Sequence, residues 1–209
     1  RFDLYDAAAL AAPHGDTRIA PPESVKRHAV RMRFASATAA ARVEPAQQLT
    51  GHHNYFIGSD RSKWQGHARA FAEARMKEVA PGCDALFRAS RAGAKYDLIV
   101  APGADPAAIH VEFEGADKVE LRGAALVVHT SLGRLTERIP IAYQEIDGQR
   151  RVVHCRYTLH DGQVGFKPGD YDKRHPLIID PTLRFATFSG SFSNNFGYTA
   201  TFDQLGFLY

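Results

Sequence analysis

The chain has 209 residues and a formal net charge of +3, from 26 basic and 23 acidic side chains. The basic residues are spread along the chain and interleaved with acids, whereas a nucleic-acid binder gathers them on one face, so no nucleic-acid partner is expected. A run of about 18 apolar residues, the length that spans a bilayer as a helix, does not occur, and two cysteines are too few for a disulfide scaffold.

The chain opens on Arg1, not Met, and Arg1-Phe2-Asp3-Leu4-Tyr5 already reads as a strand with no signal-peptide pattern. Upstream sequence is therefore expected to be missing. Ala7 to Glu23 is rich in Ala and Pro, holds no clear period, and reads as a loop. His28 to Phe34 then alternates, with Val30, Met32 and Phe34 on one face and the charges of Lys26 to Arg33 on the wet face.

Ser62 to Val79 is rich in Ala, Glu, Lys and Arg, which are good helix formers. Trp64, Ala68, Phe71, Ala72, Met76 and Val79 fit a helical stripe, and Pro81-Gly82 stops any helix. Strand and short helix both remain open for this stretch.

Alternation resumes after it. Ile109, Val111 and Phe113 share one face, opposite His110, Glu112 and Glu114, and Lys118-Val119-Glu120-Leu121-Arg122 repeats the scheme. Tyr96 to Val100 and Ala125 to Val128 are more continuously apolar and read as central strands. Arg151 to Leu159 and Val164 to Phe166 are further strands. Between these runs lie Pro102-Gly103-Ala104-Asp105-Pro106, Glu114-Gly115-Ala116-Asp117, Asp147-Gly148 and Asp161-Gly162, where Gly supplies positive φ and Asp supplies Asx turns. The last two are hairpin signals. Many short strands with frequent turns predict a sandwich or barrel and not a parallel α/β sheet. Cys155 lies on the apolar face of its strand and reads as a small buried hydrophobe. A disulfide to Cys83 remains open in an oxidising compartment, since sequence does not supply their separation in space.

From Asp180-Pro181-Thr182 onward the chain becomes small, polar and aromatic, as in Ser189 to Tyr198, and Thr199 to Tyr209 reads as strand, turn, strand, with Asp203-Gln204-Leu205-Gly206 as the turn. One such unit cannot bury its own face, because repeat modules need stacked neighbours.

Several groups invite chemistry, each with a plainer reading beside it. His52-His53 is the most metal-like pair, but strand neighbours point to opposite sides and no third ligand stands close, so a solvated loop is preferred. Asp170 and Asp172, with Asp161 and Asp180 nearby in sequence, offer oxygens suited to Ca²⁺, although the spacing is not an EF-hand loop and a turn with Asx bonds is the plainer reading. No G-x-G-x-x-G or P-loop occurs, so no nucleotide cofactor is expected, and no cofactor is assigned beyond this Ca²⁺ candidate. Ser131, His129 and Asp117 form an imaginable triad without a G-x-S-x-G elbow. Glu112 and Glu114 stand roughly 7 Å apart along a strand face that alternation predicts to be solvated. Trp64 with Tyr55 and Phe56 could stack on a sugar ring, but core packing is preferred because aromatics dominate core burial. No catalytic residue is assigned.

Seven short segments in order carry a family resemblance: Asn54 to Asp60 with Ser62-Lys63-Trp64, Pro81 to Asp84 with Leu86-Phe87, Tyr96 to Pro106, Phe113 to Asp117, Pro140 to Gln144, Gly169 to Asp172, and Pro176 to Pro181. From about Arg27 to its end the chain resembles the domain of unknown function that precedes SBBP-type β-propeller repeats, and Thr187-Phe188-Ser189-Gly190-Ser191 resembles the opening of the first repeat. Cys83 replaces an apolar residue of the family pattern, which favours a buried free thiol. Ser189-Gly190 replaces its Gly-Gly, and the resemblance leads to the expectation that the start of the family domain lies upstream of Phe2.

Together these readings predict an all-β chain: antiparallel β-sandwich-like module(s) followed by the first strands of a β-propeller repeat. The divisions are 1–26 (incomplete strand and loop), 27–181 (the β-rich domain) and 182–209 (the start of the repeat). The resemblance implies a non-catalytic structural or binding module of a secreted or cell-surface bacterial protein. It would present or cap a downstream propeller of the same polypeptide, in adhesion or surface assembly, with other surface proteins or glycans as partners. The rival expectations are a secreted hydrolase acting on glycan or peptide and a subunit of a surface filament.

Overall fold

The structure is a computed structural model that describes residues 2–6, 24–90, 93–181 and 183–185. Its strands, in chain order, are β1 (Phe2–Tyr5), β2 (Arg27–Phe34), β3 (Arg42–Tyr55), β4 (Gln65–Ala80), β5 (Cys83–Ser90), β6 (Gly93–Val100), β7 (Val111–Glu114) and β8 (Lys118–Arg122). They continue as β9 (Ala125–Thr130), β10 (Gly133–Glu137), β11 (Ile141–Ile146), β12 (Gln149–His160), β13 (Gln163–Pro168), β14 (Leu177–Asp180) and β15 (Leu183–Phe185). Two short 3₁₀ turns, Arg61–Lys63 and Pro106–Ala108, are the only helical turns among the described residues. The all-β expectation holds.

Eleven strands form one open antiparallel sheet in the order β1-β2-β7-β13-β12-β11-β14-β6-β5-β4-β3, and β15-β10-β9-β8 form a second. The alternation seen in sequence becomes the inner face. Val30 and Phe34, Val111 and Phe113, and Val164 and Phe166 are buried on neighbouring strands, as are Leu98 and Val100 with Leu177 and Ile179. Leu126, Val128 and Leu135 of the small sheet join the same core, so the two sheets pack as a sandwich.

The hairpin signals are realised. Asp147 and Gly148 join β11 to β12, and Asp161 and Gly162 join β12 to β13, all four with φ between 48° and 78°. Positive φ at both central residues is the I′ geometry whose twist matches the flanking strands.

The stretch left open between helix and strand is strand from Gln65 onward, while Ser62 and Lys63 belong to the preceding 3₁₀ turn. Along Gln65–Ala80, Ala or Gly occupies 66, 68, 70, 72 and 74, while His67, Arg69, Phe71, Glu73 and Arg75 take the other face. That period of two, together with pairing to β3 and β5, overrides the helix propensity of the individual residues. The loop expected over Ala7 to Glu23 lies outside the described residues. So does the repeat expected over 182–209, except for Leu183–Phe185, which pair with β10.

Candidate functional site

β3 and β4 are longer than the sheet that carries them. β5 pairs with β4 only as far as Glu73. Beyond that point residues 65–71 of β4 pair with β3 alone, from Gln48↔Phe71 to Tyr55↔Gln65, with register shifts between Gln48 and His52 and between His53 and Tyr55. The result is a two-stranded arm that projects from the edge of the sheet. Every residue from Gln47 to Gln65 is exposed.

The tip of the arm is apolar. Tyr55 is 41% exposed, Phe56 60%, Ile57 41% and Trp64 37%. Sequence reasoning assigned Tyr55, Phe56 and Trp64 to core packing, and the structure corrects this. Among the described residues no second layer covers the arm, and the aromatics pack on each other and on neighbouring arm residues. The Phe56 and Trp64 rings lie 5.4 Å apart at 59°, and the Arg61 guanidinium sits 5.4 Å from the Trp64 ring centre. The turn is tied internally. Trp64 Nε1 donates to the Gly58 carbonyl at 3.1 Å, the Lys63 amide to Asp60 O and the Trp64 amide to Arg61 O. Asp60 accepts the Ser62 hydroxyl and amide at 2.7 and 3.1 Å, and the hydroxyl bond holds its carboxyl below the usual range. Further along the arm His52 stacks on His67 at 4.7 Å.

The remaining sequence candidates are engaged elsewhere. His52 and His53 pair with Arg69 and Ala68 across the arm, and no group of three metal-ligating side chains occurs among the described residues. Asp170 is exposed. Asp172 receives the Arg174 guanidinium at 2.7–3.2 Å, which holds its carboxyl far below the usual range. Asp161 sits in the β12–β13 turn, and Asp180 accepts from Lys95 Nζ at 2.7 Å. The imagined triad does not assemble. Ser131 Oγ lies 2.8 Å from His28 Nδ1, His28 Nε2 lies 2.7 Å from the Gly115 carbonyl, and His129 Nε2 lies 3.0 Å from Glu120. Lys118, His129 and Arg122 draw the Glu120 carboxyl down to about 2. Glu112 and Glu114 are paired with arginines of β2, Glu112 with Arg33 and Glu114 with Arg31 and Arg33. Gln163 also donates to Glu112 at 2.8 Å.

Two features escaped sequence reasoning. Glu137 is 2% exposed and accepts from Tyr157 and Tyr96 of the facing sheet, at 2.9 and 3.3 Å. Burial pushes its carboxyl up to about 7. Its place on the same strand face as Leu135, two residues away, was the available signal. On the outer face, Glu73, Arg88, Asp97, Lys95 and Asp180 form a charged row across β4, β5, β6 and β14. Both cysteines are buried free thiols.

No helix among the described residues is long and apolar enough to cross a membrane. No curated protein and no solved structure matches the chain. One family model, a domain of unknown function, matches residues 1–182. On that match the chain belongs to the DUF7948 family, a domain of unknown function.

Proposed function

We infer that this chain is a non-catalytic structural and binding module of a secreted or cell-surface bacterial protein. Its two-sheet body is the scaffold, the β3–β4 arm is the contact element, and the segment after residue 181 leads into a β-propeller repeat that the body presents. The reading rests on the exposed aromatic tip: contiguous apolar surface that none of the described residues covers marks an interaction site. The pairing of Glu112, Glu114, Glu120 and Asp172 with cationic neighbours supports a scaffold over a reaction centre. The sequence boxes that resemble the domain preceding SBBP-type repeats support the placement at a cell surface.

The test is retention of the purified chain on intact bacterial envelopes. Wild type should be retained, and Phe56→Ser with Trp64→Ser should be lost from the pellet while keeping the same thermal transition. Equal retention of both proteins, or none of either, would overturn the reading.

A further inference from the structure

We propose that the tip of the β3–β4 arm inserts into the surface of an anionic lipid bilayer. This rests on the binding-module reading above and names the partner of that same site.

Three observations select a bilayer. The first is shape. The tip is convex and projects from the sheet edge, whereas sites for small ligands are concave. Its two largest rings are tilted at 59°, and Arg61 stands over the Trp64 ring, so they do not make the flat platform on which a sugar would stack. A convex apolar point suits a medium that yields around it.

The second is polar satisfaction. A group entering an apolar medium must bring its hydrogen bonds with it. Trp64 Nε1 is bonded to the Gly58 carbonyl, and the amides of Ser62, Lys63 and Trp64 are bonded within the turn. Phe56, Ile57 and Trp64 can therefore leave water without stranding those donors. Trp and Tyr also favour the headgroup level of a bilayer, where a ring is half in and half out.

The third is charge. Arg61, Lys63 and Arg69 lie on the arm at or behind the apolar tip, against the single carboxylate of Asp60 in the stretch from Gln47 to Phe71. Asp60 is itself 3.5 Å from Lys63. Cations set behind an inserted apolar point meet lipid phosphates.

Trp64 is the only tryptophan in the chain, so its emission reports on the tip alone. The full chain would be titrated with vesicles of phosphatidylethanolamine and phosphatidylglycerol, and separately of phosphatidylcholine. A blue shift and protection from acrylamide with the anionic vesicles, reversed by high salt, are expected. Phe56→Ser with Ile57→Ser, which keeps Trp64 and alters no core residue, should weaken partitioning by about tenfold or more, because each buried apolar side chain contributes more than that factor. No shift with any vesicle overturns the proposal. An equal, salt-insensitive shift with phosphatidylcholine overturns its anionic part. A Trp64 response to envelope proteins or polysaccharide, but not to protein-free vesicles, overturns the lipid assignment and leaves the binding module standing.

Discussion

Tyr157 donates its hydroxyl to Glu137 at 2.9 Å, across the interface between the eleven-stranded and the four-stranded sheet. Tyr96 reaches the same carboxyl from 3.3 Å. The acid is thus a polar pin between the two sheets, and it makes stability depend on pH. Desolvation raises its folded value to about 7 from 4.5, so folding favours the protonated form. Its contribution is fully present below the unfolded value and is lost as pH rises through the folded one. Stability should fall by about 3 kcal/mol between pH 4.5 and 7 and then level off. Urea midpoints across that range measure this, and Glu137→Gln should flatten the profile. An unchanged slope in the variant would assign the effect to other groups.

Gly115 is held by space as well as by backbone angle. Its φ is +84°, and a Cβ there would meet the Ala29 carbonyl oxygen at 2.6 Å. The same residue's carbonyl receives His28 Nε2 at 2.7 Å. Gly115→Ala is expected to cost about 1–3 kcal/mol, since both the strained angle and the backbone contact must be relieved. Gly148→Ala, with φ +73° but open space around it, should cost less. Denaturant midpoints of the two variants rank them, and the reverse order would contradict the crowding at Gly115.

Arg88 joins Glu73 to Asp97 across three strands. The Asp97 side chain is 6% exposed, and its Oδ1 makes no hydrogen bond, with Lys95 Nζ at 4.0 Å. Arg88→Met leaves that carboxylate short of a donor and is expected to destabilise by about 1–3 kcal/mol. Adding Asp97→Leu should recover part of the loss. A double-mutant cycle by chemical denaturation measures the coupling, and strict additivity would deny it.

The thiols of Cys83 and Cys155 are buried, and burial pushes each up to about 11. Thiolate is the reactive form, so both should resist a thiol reagent in the native protein. Two thiols should titrate after unfolding without reductant. A count of none would reveal a disulfide.

The β2, β12 and β13 strands were legible because alternation is a property of a few adjacent residues: Val30, Met32 and Phe34, or Val153, Cys155 and Tyr157, declare a face without reference to anything distant. The I′ turns at Asp147-Gly148 and Asp161-Gly162 were legible for the same reason. β4 was harder, since its Ala, Lys, Arg and Glu also suit a helix. Its alternate small residues were the better signal.

The sequence by itself determined the all-β class, the inner face of most strands and the tight hairpins, because each follows from local period and local backbone chemistry. Only the tertiary structure decided which faces would be covered. It set β2 beside β7 and β14 beside β6, strands far apart in the chain. It left Phe56 and Trp64 in water and enclosed Glu137 between two tyrosines. Burial depends on whether a distant layer arrives over a side chain, and no local pattern of apolar and polar residues contains that information.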